Sequence, residues 1–269
     1  ELVCFGGNWP GQVFGLDSPG QCDVPLDLGP VTAFSAGHEH SCAIKADGGL
    51  VCFGMNFAEQ CDVPEDLGPV QAVSAGRYHT CAIATSGELV CFGWDEDGQC
   101  QIPSELETVG AVSAGGSHTC AEKRDRHVVC FGSNDEGQCD VPADLGAVRA
   151  VSAGYSHTCA IRRDGELVCF GGNDDGQCDV PADLGPVVAV SAGGEHTCAI
   201  RTTGELVCFG CGEENEGQCD VPASLGPVVA VSVGVAHTCA MTAGWQLVCF
   251  GLNDDGQCDL PLDMDAGAA

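Results

Sequence analysis

Cysteine and histidine are the residue types in this chain with the most chemical potential, and they recur together. The 269 residues include 21 cysteines. A His-Thr-Cys-Ala motif or a close variant is followed each time by Val-Cys-Phe-Gly and then by Gly-Gln-Cys. Thiols and imidazoles at regular spacings can form disulfides, bind zinc or act as nucleophiles. The first cysteines of the successive motifs are Cys42, Cys81, Cys120, Cys159, Cys198 and Cys239.

Twelve cysteines form pairs that are ten residues apart. In the clearest copy, Asp164 and Gly165 lie midway between Cys159 and Cys169 and separate two β-type runs, which is typical of a β-hairpin. Adjacent antiparallel strands bring opposed cysteines within disulfide reach. We therefore predict six disulfides within hairpins and an oxidising compartment, the alternative being small buried thiols. The predicted pairs are Cys42–Cys52, Cys81–Cys91, Cys120–Cys130, Cys159–Cys169, Cys198–Cys208 and Cys239–Cys249.

Nine cysteines remain outside these pairs, so at least one thiol is free or linked to another chain. Cys4 lacks its usual partner and is a candidate for an irregular bridge, and Cys211 stands in the longest unit. The other seven belong to the Gly-Gln-Cys series, which we expect to be buried as thiols. Zinc is disfavoured because the spacings lack two tight ligand pairs. The series is Cys22, Cys61, Cys100, Cys139, Cys178, Cys219 and Cys258.

The histidines and the acidic loops also recur, which argues against a single catalytic site. A catalytic histidine needs a matched partner in one place, so we predict a hydrogen-bonding role for the repeated imidazole. The Asn-Asp-Asp-Gly-Gln-Cys-Asp segments at 173–179 and 253–259 lack the ligand pattern of a calcium loop and are predicted turns. We expect no enzymatic activity, no cofactor and no metal. The repeated histidines are His40, His79, His118, His157, His196 and His237.

The repeat length defines the architecture. The first cysteines of successive units are separated by 39, 39, 39, 39 and 41 residues. A period of about forty is typical of solenoids and propellers. Short β-type runs between Gly, Asp and Pro, without a helical period, predict an all-β propeller with four strands per unit. The four runs of one unit are Val187–Gly193, His196–Ile200, Glu205–Gly210 and Gln218–Val221.

Several motif blocks occur in a fixed order over residues 31–261. His-Thr-Cys-Ala-Ile, then Asp-Gly-Glu-Leu-Val-Cys-Phe-Gly, then Asn-Asp-Asp-Gly-Gln-Cys resembles the repeat of the regulator of chromosome condensation family. That family has Leu where these cysteines stand and Trp where this chain has Phe. The resemblance implies a seven-bladed β-propeller. The short period and the cysteines resemble the secreted β-lactamase inhibitor propellers more than the nuclear exchange factor.

The blade count predicts one domain over residues 1–269, with six full blades and a partial seventh. Residues 1–25 are expected to form the partial blade and to close the ring, with residues 262–269 as a tail. Because the chain begins inside a repeat unit, we expect it to be processed or fragmentary.

The net charge excludes some partners. The chain has 39 acidic and 9 basic residues, a formal charge of −30, which repels the phosphates of nucleic acids. No apolar run approaches eighteen residues, so we predict no direct membrane insertion. The acidity suits a self-repelling soluble surface, a basic partner or loosely held divalent cations.

Differences between the units predict where binding occurs. Because the strands alternate in direction, one face collects the loops that precede each repeated histidine and those that follow each Phe-Gly. These loops vary between units, and we call this the variable-loop face. The opposite face, here the turn face, carries the hairpin turns and the Pro-x-Asp-Leu-Gly links. The candidate partner-binding residues are Met55, Phe57, Arg77, Tyr78, Trp94 and Tyr155.

These observations favour a non-enzymatic scaffold or accessory subunit that binds another protein, for instance in a larger membrane-associated complex. We expect it to be secreted or in an organelle lumen, such as that of the thylakoid, and not nuclear. The basic turn at 123–127 is a second docking candidate, with a solvated turn as the default. The alternative function is an acidic protein that binds divalent cations or buffers thiol redox state.

Overall fold

A computed structural model describes residues 2–4, 20–212 and 215–261, which form six antiparallel three-stranded sheets. We number these sheets as blades 1 to 6. The first strands are β1 (Val31–Ala36), β4 (Val70–Ala75), β7 (Val109–Ala114), β10 (Val148–Ala153), β13 (Val187–Ala192) and β16 (Val228–Val233). The second strands are β2 (His40–Lys45), β5 (His79–Ala84), β8 (His118–Lys123), β11 (His157–Arg162), β14 (Thr197–Arg201) and β17 (His237–Thr242). The third strands are β3 (Leu50–Gly54), β6 (Leu89–Gly93), β9 (Val128–Gly132), β12 (Leu167–Gly171), β15 (Leu206–Phe209) and β18 (Leu247–Gly251).

This arrangement confirms the predicted all-β propeller of repeated hairpins. Within the described ranges no helix is long and apolar enough to cross a membrane. The predicted partial blade (1–25) lies mostly outside the described residues, as does the predicted tail (262–269).

The predicted fourth strand is wrong. Gln218–Val221 forms consecutive turns, in which the Asp220 and Val221 amides donate to the carbonyls of Gly217 and Cys219. The Asn215 side chain adds a bond to the Asp220 carboxylate. Backbone groups satisfied within a turn are not available to a strand ladder, so each blade stops at three strands.

Packing between blades places the first strands at the centre of the propeller. The first strands of successive blades contact one another, and each second strand contacts the first strand of the next blade. Cys81 and Ile83 of blade 2, for example, share a buried cluster with Val109 of blade 3. The core is therefore divided among the blade interfaces rather than gathered in one place.

The six predicted hairpin disulfides are confirmed. Cys159 and Cys169 lie directly opposite each other in the β11–β12 register, with their Cα atoms 4.1 Å apart. The same pairing and spacing occur in the other five blades.

The remaining cysteines follow the expectation only in part. Cys4 forms the irregular bridge, with Cys22, and Cys211 is bonded to Cys219. The expected thiol state is therefore wrong for Cys22 and Cys219, because these units carry an additional cysteine. Five members of the series are half-buried thiols, namely Cys61, Cys100, Cys139, Cys178 and Cys258.

The repeated histidines join each blade to the next, which confirms their predicted hydrogen-bonding role. His79 Nε2 lies 2.9 Å from the Thr119 hydroxyl, which donates to the Gln99 carbonyl at 2.9 Å. Because the hydroxyl gives its proton to the carbonyl, it accepts from the imidazole, so Nε2 carries the proton. The five pairs are His40–Thr80, His79–Thr119, His118–Thr158, His157–Thr197 and His196–Thr238.

These imidazoles are neutral at ordinary pH. Burial lowers the pKa of His79 and His118 to about 3, and that of His40, His157 and His196 to about 4. A protonated imidazole would be a charge in the blade interface without a counter-ion, since Nδ1 has no partner in any of the five.

We predict that the protein loses stability as the pH falls below 6.5. The unfolded chain binds protons at a histidine pKa of 6.5 and the folded chain only near 3 to 4, so the free energy of unfolding is full above 6.5 and declines below it. Each histidine contributes about 1.4 kcal/mol per pH unit within that window. Urea titrations at pH 7, 6 and 5 measure the slope. His118→Gln, which keeps an N–H donor but cannot titrate, should show a shallower slope; an unchanged slope would contradict this account.

We also predict that Cys159→Ala/Cys169→Ala lowers the free energy of unfolding by about 2–4 kcal/mol, because the cross-link restricts the unfolded chain. Cys178→Ala removes a thiol without removing a bridge and is the matched control, with an expected loss below about 1 kcal/mol. Urea unfolding without reductant measures both. Equal losses in the two variants would show that the cysteines act only as packing groups.

Candidate functional site

Hydrogen bonds confirm that the variable loops of each blade lie side by side. The Met55 amide, just after β3, donates to the Glu39 carbonyl just before β2 at 2.8 Å. The Trp94 amide makes the same bond to Tyr78 in blade 2, also at 2.8 Å. The loop after each third strand is thus tied to the loop before the second strand, and both contribute to the variable-loop face.

Arg77 is the centre of the contacts on this face. Its guanidinium carbon lies 4.7 Å from the ring centre of Tyr78 and 5.0 Å from that of Tyr155, within the range of a cation–π interaction. The guanidinium also donates to the Tyr155 hydroxyl. The chain has two tyrosines in all, and both lie against this arginine although Tyr155 belongs to blade 4.

A glycine in blade 3 permits this contact between blades 2 and 4. Arg77, Gly116 and Tyr155 hold the same repeat position, and their amides donate to the carbonyls of Gly115, Gly154 and Gly193. A Cβ atom on Gly116 would collide with the Tyr155 carbonyl. Because Gly116 has no side chain, the Arg77 side chain can reach Tyr155.

Two more rings extend the cluster on the side of blade 1. The Phe57 ring meets Tyr78 edge-on at 5.0 Å, and His38 contacts Tyr78 at 6.5 Å. Burial lowers the pKa of His38, with the Arg77 charge acting in the same direction and the Glu39 charge opposing it. We define the Arg77 cluster as His38, Phe57, Arg77, Tyr78 and Tyr155.

The structure thus brings together four of the six candidate residues. Phe57 and Tyr155 are 50% and 39% exposed, so the cluster presents aromatic surface to solvent. Met55 and Trp94 are half-buried at the starts of their loops, and the described aromatic contacts of the cluster do not include them. Their predicted role in binding remains a prediction.

Sequence reasoning missed His38 and Gly116. Both lie at the repeat position of Arg77 and Tyr155, two residues before the repeated histidine, so alignment of the units could have identified them. What the units do not reveal is that the Arg77 side chain spans a whole blade.

The acidic loops and the thiols are committed to the fold. Asn173 Nδ2 donates to the Asp179 carboxylate at 2.9 Å, which confirms the turn prediction. The Cys178 thiol donates to the Gly172 carbonyl, and burial raises its pKa to about 11. The pKa of Cys61 rises to about 12 for the same reason. The described ranges hold no group of three or more His, Cys, Asp or Glu residues placed to bind a metal.

The basic turn of blade 3 has a local structural role. Glu122 is 2% exposed and occupies the position at which blades 2 and 4 have Ile83 and Ile161. Arg126 donates to this carboxylate at 2.8 Å. Burial raises the pKa of Glu122, and the charge of Arg126 opposes that rise. The turn thus supplies a counter-ion, an arrangement that gives no support to a docking site.

We predict an energetic coupling of about 0.5–1.5 kcal/mol between Arg77 and Tyr155 in a double-mutant cycle on unfolding. The cycle compares Arg77→Ala, Tyr155→Ala and the double variant, because a shared contact makes their losses non-additive. Trp245→Ala, an exposed aromatic in the β17–β18 turn on the turn face, is the control partner and should show no coupling to Arg77→Ala. Additive losses for the Arg77–Tyr155 pair would contradict the geometry.

Solved structures share this fold. The ectodomain of the receptor kinase CR4 from Physcomitrella patens is 21% identical with a TM-score of 0.71, over 83% of this chain and 64% of that one. The CRINKLY WD40 ectodomain of ACR4 from Arabidopsis thaliana is 23% identical with a TM-score of 0.68, over 85% and 83%. Prp20p from Saccharomyces cerevisiae is 15% identical with a TM-score of 0.72, over 95% and 82%. At these identities the likeness concerns the fold.

The chain therefore spans about two thirds of the CR4 ectodomain. A sequence search of curated proteins finds no significant match. A family model does match the repeats themselves, and the matched segments are 31–60, 70–99, 111–138, 148–177, 187–218 and 228–257. These segments make up most of the chain and coincide with the six blades. The chain belongs to the regulator of chromosome condensation (RCC1) repeat family.

Proposed function

We propose that this propeller is a non-enzymatic scaffold or accessory subunit that binds a partner protein through the Arg77 cluster. The observation that carries the proposal is the convergence of Arg77 with both tyrosines of the chain on the variable-loop face. Propellers of this family commonly serve as protein-binding scaffolds, which supports the general class of function.

The geometry of the cluster suits a binding anchor. Arginine and tyrosine are enriched among residues that dominate interface energies. Arg77 is held by two rings and a hydrogen bond, so it loses less conformational freedom on binding than a free arginine would. The exposed rings of Phe57 and Tyr155 offer apolar area on either side.

The charge of the chain suggests the character of the partner. With 39 acidic and 9 basic residues, the surface around the cluster attracts positively charged proteins. We infer a partner that covers the aromatic rings with an apolar centre and has lysine or arginine at its rim. Nucleic acid remains disfavoured for the same electrostatic reason.

The relatives agree with a protein partner. The Prp20p structure is described together with its binding to Gsp1p and histones, and the two plant neighbours are receptor ectodomains. These partners belong to those proteins, and their identities do not transfer at 15–23% identity. What transfers as a proposal is the class of ligand, a protein, together with an accessory role in a larger, membrane-associated complex.

The disulfides bear on the compartment. Eight bridges join described residues, and such density is typical of proteins that mature in an oxidising environment. We infer a secreted protein or one in an organelle lumen. The alternative function, cation binding or thiol buffering, is less well supported because the thiols have raised pKa values and the loop carboxylates are bonded within turns.

The test is affinity capture of the protein, without reductant, from its native source. We expect a stoichiometric partner with the wild-type chain and at least a tenfold loss of that partner with Arg77→Ala/Tyr155→Ala. Trp245→Ala, on the turn face, should retain it. Circular dichroism and intact disulfides establish that each variant is folded. Retention of the partner by the double variant would overturn the proposed site, and stoichiometric metal without any partner would favour the alternative.

A further inference from the structure

Blades 1 and 6 lack the inter-blade bonds that join the other blades. At each of the five interfaces from blade 1 to blade 6, a first-strand serine hydroxyl accepts from an amide of the next blade, as Ser35 does from Ala75 at 2.9 Å. A loop amide donates to a glycine carbonyl, and a histidine donates to a threonine. Among the described residues no such bond joins blade 6 to blade 1.

The surface of blade 6 keeps the donor half of this set. Ser232, Val235 and His237 stand at the positions of Ser191, Gly194 and His196, but they have no described partner across an interface. The alternating residues His237, Cys239 and Met241 of β17 are half-buried. The equivalent residues of β5 and β11 are 0% exposed because the next blade covers them.

The surface of blade 1 keeps the acceptor half. Ala36 is exposed, whereas its counterpart Ala75 is 8% exposed and donates to Ser35. Phe34 is 67% exposed at the position of Val112, which packs against Cys81 and Ile83 of the preceding blade. The Ser41 hydroxyl donates to the Gln21 carbonyl and retains its capacity to accept, as Thr80 does from His40.

The two surfaces together specify their ligand. Blade 6 requires an element with an amide for Ser232, a glycine carbonyl for Val235 and a hydroxyl for His237. Blade 1 requires a serine hydroxyl for Ala36 and an imidazole for Ser41. These groups belong to the first and second strands of this same repeat, in the order Ser-Ala-Gly-x-x-His-Thr.

We propose that blades 6 and 1 bind, in trans, a β-hairpin of this repeat pattern carried by another polypeptide. The chain has six copies of the Ser-Ala-Gly-x-x-His pattern or its Ser-Val-Gly variant, and all six lie in the described blades. The hairpin places its serine and histidine against Ala36 and Ser41, and its glycine and threonine against Val235 and His237. Its apolar residues cover Phe34 on one side and Met241 on the other.

The chain itself supplies a probe for this site. A fluorescent peptide of residues 148–162, with Cys159→Ser, contains the required groups Ser152, Gly154, His157 and Thr158. Fluorescence anisotropy should show saturable binding with one peptide per chain. A peptide with Ser152→Ala and His157→Ala has the same charge and should bind at least tenfold more weakly. Equal binding of the two peptides would indicate non-specific attraction and overturn the proposal.

Variants of the chain locate the site. Phe34→Asp should weaken peptide binding at least tenfold, whereas Val188→Asp, on another exposed first-strand position, should leave it unchanged. Arg77→Ala should also bind the peptide normally, so this result is independent of the proposed function. Binding that is insensitive to Phe34→Asp would place the peptide elsewhere and overturn the proposal.

Amide hydrogen exchange decides the case even if the peptide is a poor hairpin. In the free protein, the Ala36 and Val235 amides should exchange at least tenfold faster than Ala75 and Tyr155, and saturating peptide should slow them. If Ala36 and Val235 are already as protected as their counterparts, the chain covers these surfaces itself and the proposal fails. It fails equally if these amides exchange fast, the peptide does not bind and their exchange does not change.

Discussion

The hydrogen bond from a buried imidazole to the hydroxyl of the next blade is the interaction on which this propeller depends. Blades share little covalent structure, so their angle and spacing rest on contacts at each interface. His79, Thr119 and the Gln99 carbonyl satisfy one another in a line that joins two strands and a turn. Because an unpaired buried polar group costs about 1–3 kcal/mol, a displaced blade would lose this line together with its apolar packing. The close approach needs Gly76, since a Cβ there would collide with the His79 ring and with the Gly115 carbonyl.

The disulfides add rigidity within a blade, whereas the histidine lines add it between blades. This division leaves the loops of the variable-loop face free to differ. The loops before His79 and His157 could therefore acquire an arginine and a tyrosine without loss of the ring's bonds, since those bonds use backbone groups at these positions. The Arg77 cluster is thus built on a rigid support, as binding sites generally require.

Much of this was predictable because each unit repeats the same local chemistry. The ten-residue spacing predicted the hairpin and the Cys159–Cys169 bridge, and the sixfold histidine predicted a structural bond. The fourth strand at Gln218–Val221 was wrong because turn bonds and the Asn215 side chain had already used its backbone and acidic groups. The contact between Arg77 and Tyr155 is 78 residues long in sequence and depends on the missing side chain of Gly116, which no single unit reveals. The states of Cys22 and Cys219 depended on neighbours present in one unit each.

The central claim is that a partner protein lies against the Arg77 cluster. The most direct measurement is photo-crosslinking with a benzophenone amino acid placed at position 57, beside Tyr78, or at position 245 on the turn face. Illumination in the native mixture should link the partner from position 57 and not from position 245. Partner adducts formed from position 245 alone would contradict the account and move the binding surface to the opposite face of the propeller.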